Sequence, residues 1–583
     1  MQLSSSNHNS VTFPLARNAS ARDLGTRPSI AELVALQAVG WPFTALTLTA
    51  LLFMAGIPIG PYHLWAALVL FLVVGARLSG DWREWLTAAL WLALCAVAGG
   101  ASLGWLYDFS GDGQWYHLPG ILALAQGWNP FHVPRLADWN PAFAQAIASP
   151  DINYPGFVYV QHYAKGAWIV AAVAYRGTGL LEATKVFNLL YVLAVYLTAV
   201  ALLSRLGLSR LWSRAIAVAA AANPVSLYQL ASFFVDGQLA SLCTLVLLSS
   251  LDYFFERKMR ALFLVGGAVV LLSNVKFTGV AFAAGLVGGM GVLGWLRGRK
   301  DEVKRYAMVG GASLLVAILV AGYQPYVTNA RDYGHPFYPA LGREDARNVQ
   351  WHSAPAPFMA MNPVEKLVRS LFARPAGADE MPEWKIPLAV SKQELYIFFN
   401  AEPRYGGFGP LFGAALLLAI AAFPLAIRAM PRNVWTAGAS LAILVAASAL
   451  VNPEAWWARL SPQFWLVPLV LATSMALGAA GWPRRTAMIV VLFLLANSLL
   501  VGALNLGRAT EKNLVFREQL ADLRAMAATG PVQLTVHRSF QMVTELRMRE
   551  HAVRYQTVSN APCAMPLRFS FPASAQATAC PSP

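Results

Sequence analysis

The stretch LTAALWLALCAVAGGASLGWLYDFSGDGQWYH, residues 86–117, joins an apolar run to a polar and aromatic segment. Residues 86–105 carry no charge, and their number is about what an α-helix needs to cross the hydrocarbon core of a bilayer. The residues that follow contain two aspartates, a histidine and several aromatic side chains. The stretch therefore predicts a transmembrane helix followed by a polar and aromatic segment at the membrane boundary, which is a candidate functional site.

The whole chain has the composition of a polytopic membrane protein. Of its 583 residues, 57% are hydrophobic and 13% are charged, which is too little charge for the surface of a soluble protein of this length. Hydropathy windows predict an all-α protein with about 13 transmembrane helices. These lie near 41–59, 62–78, 86–105, 186–204, 212–226, 237–255, 260–274, 277–296, 305–323, 408–427, 434–451, 463–480 and 486–505.

The loops between these helices alternate in charge, which predicts their orientation. The positive-inside rule places the basic loops in the cytoplasm, together with the N-terminus. Those loops carry Arg77, Arg83, Arg205, Arg210, Arg214, Arg257, Lys258, Arg260, Arg297, Arg299, Lys300, Lys304, Arg305, Arg428, Arg432, Arg484 and Arg485. The net charge of +15 is therefore an orientation signal, and we expect membrane lipids rather than nucleic acid as partners.

Four regions follow from this topology. Residues 1–40 form a polar cytoplasmic tail without the features of a removable signal peptide, and residues 41–85 form two additional N-terminal helices. Residues 86–505 form the core, whose long loops 106–185 and 324–407 face the opposite side. Residues 506–583 form a segment on that same side, which is the periplasm if the protein lies in a bacterial inner membrane.

The C-terminal segment predicts a small mixed α/β structure. An amphipathic helical pattern is followed by a strand-like run at 532–536. The helical pattern uses Leu514, Phe516, Leu520 and Leu523. Cys563 and Cys580 would be free to form a disulfide in the periplasm, whereas Cys95 and Cys243 lie in apolar runs and are expected to be small core residues.

Acidic side chains stand at the predicted outer ends of the helices. Asp108 and Asp112 follow the third helix, and Asp236 begins a later one. One interpretation is that they cap helices or contact lipid headgroups. The other is that a carboxylate serves as a general base above a substrate carried by a lipid, because charged groups at such positions are costly and mark functional sites.

Two cations stand at the same predicted outer ends, against the orientation rule. Lys276 and Arg459 are the only basic residues in their hairpins, and each either reaches toward lipid phosphates or binds an anionic ligand. Arginine suits phosphate because its planar fork makes paired hydrogen bonds. Gln463 lies close to Arg459 in sequence, and Lys165 lies in the segment 151–185, whose pattern suggests an interfacial helix.

At these residues the sequence resembles the GT-C integral-membrane glycosyltransferases, and within them the protein O-mannosyltransferase and aminoarabinose transferase branch. Asp112 and Tyr116 match the acid and tyrosine of the first outer loop, although Gly113 stands where that branch has a second acid. The resemblance covers residues 86–505. Its other elements are Tyr154-Pro155, Gly179, Lys185, Asp236, the run Val275 to Gly279, the run Tyr333 to Pro339, and Arg459 followed by Leu460 in place of a tyrosine.

The resemblance implies a transferase that moves a sugar from a polyprenyl-phosphate-linked donor to a lipid, glycan or protein acceptor. Asp112 would deprotonate the acceptor, Asp236 would position the acceptor or a cation, and Lys276 or Arg459 would hold the leaving phosphate. Asp108 is a further catalytic candidate. The candidates for substrate binding are Tyr116, His117, Lys276, Arg459, Gln463 and Lys165.

A metal cofactor is left open by the resemblance, because some members of the fold bind a divalent cation such as Mg²⁺ or Mn²⁺ and others do not. Asp112, His117 and Asp236 are the side chains that would ligate it, although they lack a close metal-binding spacing. Two other functions also stay open. A transporter or flippase uses charges along its path, and a polysaccharide polymerase or ligase would use the arginines of loop 324–407.

Overall fold

The structure is a computed structural model that describes residues 28–148, 156–341, 354–374, 380–536, 540–559, 565–567 and 577–580. Within these ranges the chain is almost entirely helical. The first helices are α1 (Ile30–Met54), α2 (Tyr62–Ser79), α3 (Trp82–Trp105), α4 (Leu118–Ala125), α5 (Leu136–Trp139), α6 (Pro141–Ala146), α7 (Gly156–His162), α8 (Gly166–Thr178) and α9 (Val186–Arg205).

The central helices continue in the same manner. They are α10 (Arg210–Ala221), α11 (Pro224–Tyr228), α12 (Asp236–Glu256), α13 (Met259–Val275), α14 (Phe277–Leu296), α15 (Lys300–Val316), α16 (Thr328–Tyr333), α17 (Ala356–Met359), α18 (Pro363–Leu371) and α19 (Lys392–Ile397). The last are α20 (Phe412–Ala426), α21 (Arg432–Leu450), α22 (Leu466–Gly478), α23 (Trp482–Met526) and α24 (Gln541–Glu550).

Nine helices in the described part of the chain are long and apolar enough to cross a membrane. They are α1, α3, α9, α12, α14, α15, α20, α21 and α23, some extended by a 3-10 or π-helical turn. Three shorter apolar helices cover Tyr62–Arg77, Met259–Val275 and Pro462–Gly478. The predicted all-α polytopic architecture is thus confirmed. The one remaining predicted span, 212–226, falls on α10, which has 12 residues, so the count of 13 stays a prediction.

The first helix begins earlier than predicted. The expected span was 41–59, but α1 runs from Ile30 to Met54. Ser29 is its N-cap: its side chain accepts a hydrogen bond from the Glu32 amide while the Glu32 carboxylate accepts one from the Ser29 amide. This capping box satisfies two otherwise unpaired amides at the helix start. Averaged hydropathy does not detect capping residues, so it does not predict this start.

The centre of the bundle is α12. In its apolar 18-residue stretch 78% of the residues are buried, compared with 17% in that of α15. It packs against α9, α13 and α14. At its C-terminal end, Arg205 bonds Asp252 at 2.5 Å and Glu32 at 2.7 Å, and Arg260 bonds Glu32 at 3.0 Å. The ends of the helices that adjoin the basic loops therefore meet at one end of α12. Asp236 lies at the opposite end, which we name the predicted outer end.

The segment predicted as one interfacial helix is broken. Its described part consists of α7, α8 and the 3-10 turn Glu182–Lys185. Gly179 ends α8 with a φ of +73°, a left-handed conformation that glycine adopts without a steric penalty. Tyr154 and Pro155, which carry part of the resemblance, lie outside the described residues.

The C-terminal segment combines helix and sheet. At about 1.5 Å per residue, the 45 residues of α23 extend about 68 Å, roughly twice the hydrocarbon thickness, so its second half leaves the membrane. Its buried side chains include Phe516, Leu520 and Leu523, whereas Leu514 is 55% exposed and does not belong to the apolar face. The predicted separate amphipathic helix is thus the end of α23.

The strands follow this helix. A four-stranded sheet has the order β4 (Tyr555–Thr557), β3 (Val532–Thr535), β6 (Ala577–Cys580), β5 (Met565–Leu567), and only the β3–β4 pair is parallel. A separate two-stranded ribbon pairs β1 (Ala373–Arg374) with β2 (Glu383–Trp384). Cys580 is disulfide-bonded, Cys95 and Cys243 are free, and Cys563 lies outside the described residues.

Candidate functional site

Five charged side chains from five distant segments meet at the predicted outer end, and we name them the Arg459 cluster. Arg459 contacts three carboxylates: Nη2 lies 3.0 Å from Asp112 Oδ2, Nη1 lies 2.9 Å from Glu402 Oε2, and Nε lies 3.8 Å from Asp236 Oδ2. The fifth member, Lys276, donates from Nζ to Asp236 Oδ1 at 2.5 Å. Residues that are up to 347 positions apart in sequence therefore share one site.

Each member stands where a structural element begins or ends. Asp112 directly precedes the π-helical turn Gly113–His117, Asp236 is the first residue of α12, and Lys276 separates α13 from α14. Arg459 lies in the 3-10 turn Ala458–Leu460, and Glu402 lies in the loop that leads to α20. Because all these boundaries lie at one end of the bundle, the packing of the helices brings the charges together.

The capping interpretation of the acids does not agree with their contacts. Asp112 is an N-cap residue but makes no capping hydrogen bond, and the N-cap position of α12 is occupied by Val235 rather than by Asp236. The lipid-facing interpretation of the cations does not agree either, because the side chains of Arg459 and Lys276 are 11% and 14% exposed and point at carboxylates. The four residues are parts of one electrostatic centre.

Aromatic rings hold the guanidinium of Arg459 in place. Its Cζ lies 4.4 Å from the ring centroid of Trp457 and 5.0 Å from that of Phe234. Such a planar cation stacks on aromatic faces while its edges remain available for hydrogen bonds. The stacking therefore leaves the edge of Arg459 to the three carboxylates.

Asp236 is held by an amide as well as by a cation. Gln229 donates from Nε2 to Asp236 Oδ2 at 3.1 Å and to the Ala401 carbonyl at 3.2 Å, while its Oε1 accepts from the Gly237 amide at 2.8 Å. The amide thus links the start of α12 to the loop that carries Glu402. We did not expect this role for Gln229, because an uncharged side chain in an apolar context gives no sequence signal.

Asp112 is oriented by a tyrosine one turn later. Tyr116 donates from its hydroxyl to Asp112 Oδ2 at 3.1 Å, the same oxygen that Arg459 contacts. The adjacent His117 accepts from Trp168 Nε1 at its Nδ1 atom, at 2.8 Å. Burial lowers the pKa of His117 to about 3, against the opposite influence of Asp112 and Asp236, so the imidazole is neutral at neutral pH.

Asp108 has a structural task next to the cluster. Its Oδ1 accepts from the Ser110 amide and its Oδ2 from the Phe233 amide, both at 2.8 Å. Burial raises the pKa of Asp108, and Lys185 and the Phe233 amide oppose that rise. Because both oxygens hold backbone amides, Asp108 fixes the loop that carries Asp112 to the segment before α12, and a catalytic role would require it to release one of them.

Position 113, which is a glycine, has no room for a side chain. A Cβ atom at position 113 would lie 2.0 Å from Asp108 Oδ2 and 2.2 Å from Ser110 Oγ. The carboxylate of Asp108 therefore fills the space that a side chain at 113 would need. A glycine at position 113 thus has a steric cause inside this loop.

Gly113→Ala is expected to destabilise the loop that carries Asp112. Overpacking of this kind costs roughly 1–3 kcal/mol, and the displacement of Asp108 would also weaken the ordering of Asp112. Thermal unfolding of the purified chain in nanodiscs measures the effect. Gly285→Ala is the matched control, because no atom lies within 4 Å of its added methyl group, and equal unfolding temperatures for the two variants would contradict the steric explanation.

Two predicted substrate-binding residues have different surroundings. Gln463 is 1% exposed, and neither of its side-chain polar atoms has a hydrogen-bond partner among the described residues. Lys165 is equally buried, but it donates to the Gln161 and Tyr163 carbonyls at 2.9 Å each and stands over the Trp128 ring. Lys165 thus closes the C-terminal end of α7, and no contact links it to the Arg459 cluster.

Lys185, which carries part of the resemblance, is bound elsewhere. It pairs with Glu182 at 2.5 Å and donates to the Leu106 carbonyl, and Glu182 also pairs with Arg547 of α24. Arg547 stands over the ring of Tyr107 at 4.6 Å. This buried ion pair network fastens the C-terminal segment to the start of the loop that carries Asp112.

Glu402 is the charged residue of the site that the sequence did not single out. It lies in a long loop rich in charge, where nothing marks one acid over another. Burial raises the pKa of Glu402 to about 7, and Asp112 adds to that effect while Arg459 opposes it. A carboxylate with a pKa near neutrality is poised to exchange protons.

The chain was compared with family models and with curated proteins. No match was found in either comparison. The arrangement of residues in this chain is therefore the basis on which a function is inferred.

The charge of the cluster and the arrangement of its side chains both bear on what it can bind. Three carboxylates face two cations, so one negative charge is in excess when all five groups are ionised. In the described residues no group of three or more His, Cys, Asp or Glu side chains is arranged to hold a metal ion. The three carboxylates approach one another through Arg459, and His117 is engaged with Trp168.

Proposed function

We propose that the protein is a glycosyltransferase of the GT-C type, which moves a sugar from a polyprenyl-phosphate donor to an acceptor on the periplasmic face of a bacterial inner membrane. The observation that supports this function is the Arg459 cluster. Transfer of this kind needs a carboxylate to accept the proton of the acceptor hydroxyl and a cation to stabilise the leaving phosphate. The cluster brings both kinds of group to one place at the predicted membrane boundary.

The two cations differ in how they are bound, and this assigns them different roles. Lys276 pairs with one carboxylate, whereas Arg459 contacts three. We therefore assign Lys276 to the leaving phosphate, because it has the fewer competing contacts. Arg459 orders the carboxylates Asp112 and Glu402, one of which accepts the proton of the acceptor.

Asp112, the carboxylate that the resemblance implies as the base, provides the test of the function. Asp112→Asn keeps an oxygen for Tyr116 and Arg459 but removes the negative charge. We expect sugar transfer to fall at least about 100-fold, the lower limit for loss of acid–base catalysis, without a change in folding. The charge is needed whether Asp112 accepts the proton itself or holds Arg459.

Membranes that contain the chain are incubated with a panel of undecaprenyl phosphates, each carrying one tritiated hexose or pentose, and labelled products are counted. Asp138→Asn is the matched control, since Asp138 is exposed in the same loop. Unchanged transfer in Asp112→Asn would count against this site. A wild-type chain that transfers no sugar of the panel, but carries the donor across vesicles, would favour a flippase instead.

A further inference from the structure

A narrow cleft with a cavity volume of about 50 Å³, partly open to solvent, lies next to the Arg459 cluster. One wall is formed by residues 107–111, a second by Phe399 to Glu402, and a third by the part of α23 that leaves the membrane, with Asn505 and Lys512. The cleft is thus bounded by the loop that carries Asp112 and by the C-terminal segment.

Glu402 is the one member of the cluster that lines this cleft. Asp112, Asp236, Lys276 and Arg459 are absent from its walls. The Oε2 atom of Glu402 is held by Arg459 at 2.9 Å, while Oε1 accepts no hydrogen bond from the described residues, and the side chain is 20% exposed. One oxygen is therefore fixed and the other is available to a molecule in the cleft.

An unpaired polar atom in the walls indicates the chemistry of that molecule. The hydroxyl of Tyr228 is buried and has no hydrogen-bond partner within the described part of the chain. Tyr228 is 1% exposed. A buried polar group without a partner costs about 1–3 kcal/mol, so a molecule that brings several hydroxyls would satisfy this group and the available oxygen of Glu402. A saccharide has this property.

We propose that the cleft receives the hydroxyl-bearing edge of a saccharide acceptor and that Glu402, rather than Asp112, accepts the proton of its attacking hydroxyl. This inference rests on the proposed glycosyl transfer and names the acceptor class and the base. The acceptor oxygen forms a bond to the anomeric carbon of the donor sugar, and its proton passes to Glu402 Oε1. The bond from that carbon to the phosphate oxygen breaks, and the polyprenyl phosphate leaves with the electron pair.

Asp112 then has a supporting task. Its Oδ2 is shared by Tyr116 and Arg459, and Arg459 in turn fixes Glu402. Asp112 thus positions the base through the guanidinium. The proton affinity of Glu402 agrees with its role, since its pKa of about 7 lies where a general base works best. The charged groups that face it are Arg459, Asp112, Arg404 and Asp236, and Asp108 and Lys512 line the same cleft.

The pH dependence of transfer separates the two carboxylates. In the wild-type chain the rate is expected to rise between pH 6 and pH 8, as Glu402 loses its proton. Glu402→Gln keeps an oxygen for Arg459, and should lower transfer at least about 100-fold and abolish that rise. Asp112→Asn should be slow but should retain the rise. Glu383→Gln, exposed on β2, is the matched control.

A second measurement covers the case in which Glu402→Gln does not fold. The wild-type chain is treated with dicyclohexylcarbodiimide, which modifies protonated carboxyl groups in apolar surroundings, and the modified residue is found by mass spectrometry. Glu402 should react at pH 6 and much less at pH 8.5, and its modification should block transfer.

The outcomes are distinct. Near wild-type transfer by Glu402→Gln, or an unmodified Glu402 at pH 6, would overturn the assignment of the base and leave glycosyl transfer with Asp112 as base. The assignment of the base would also be overturned if the transfer rate of Asp112→Asn did not rise between pH 6 and pH 8 while that of Glu402→Gln still did. A wild-type chain that transfers no sugar of the donor panel would overturn the proposed function, and this inference with it.

Discussion

Arg459→Met is expected to abolish the proposed sugar transfer and to lower the temperature of thermal unfolding. The methionine keeps an apolar stem between the rings of Trp457 and Phe234, but it leaves Asp112, Asp236 and Glu402 facing one another without the charge that all three contact. Removal of one partner from a buried ion pair costs roughly 3–5 kcal/mol. The loss of both order and charge should reduce transfer to the background of the assay.

The conservative variant sharpens this prediction. Arg459→Lys keeps the positive charge, but a single ammonium cannot reproduce the planar fork that contacts several carboxylates at once. We expect intermediate stability and very slow transfer. Arg369→Met is the matched control, because Arg369 also stacks on a tryptophan ring, that of Trp384 at 5.6 Å, and its hydrogen bond goes to the Pro382 carbonyl rather than to the cluster. Transfer by Arg459→Met within tenfold of the wild-type rate would remove the cluster from the mechanism.

Lys276→Met is expected to have the second largest effect. It leaves Asp236, whose side chain is 2% exposed, with only the Gln229 amide and the more distant Arg459. A buried carboxylate that has lost its nearer cation should cost up to roughly 3–5 kcal/mol and reduce the amount of folded chain in the membrane. Size-exclusion chromatography and thermal unfolding measure the loss, with the exposed Lys392→Met as the control.

The double variant Lys276→Met/Asp236→Asn distinguishes stability from function. Removal of both charges should restore folding, since no unpaired charge remains. Transfer should stay absent, because the proposed cation for the leaving phosphate is gone. If the double variant regained transfer along with stability, Lys276 would be a structural partner of Asp236 and the assignment of the phosphate site would fail.

The membrane class of the protein could be predicted from short-range information. Runs such as 86–105 are apolar throughout, and a helix is the form in which a single segment satisfies its own backbone in lipid. The boundaries were less well predicted. The capping box at Ser29 moved the start of α1, and α23 continues without a break past the last predicted span, because helix continuation depends on local hydrogen bonding as well as on hydropathy.

The candidate site could be predicted only in part. Asp112, Asp236, Lys276 and Arg459 stood out because a charge at the end of an apolar run is costly, and the structure brings these four together. Lys165, predicted to bind substrate from the segment 151–185, lies apart from them, held by carbonyl groups at the end of α7. Asp108 lies next to the cluster but is occupied by backbone amides.

The sequence by itself determined that this chain is a bundle of apolar helices and that unusual charges stand at one set of their ends. Both properties follow from hydropathy and charge along short segments. The tertiary structure alone decided which of those charges meet, that Arg459 lies among three carboxylates, and that Glu402 from a loop without a distinctive pattern borders the cleft. These are distances between segments hundreds of residues apart, and they are fixed by helix packing that no local pattern encodes.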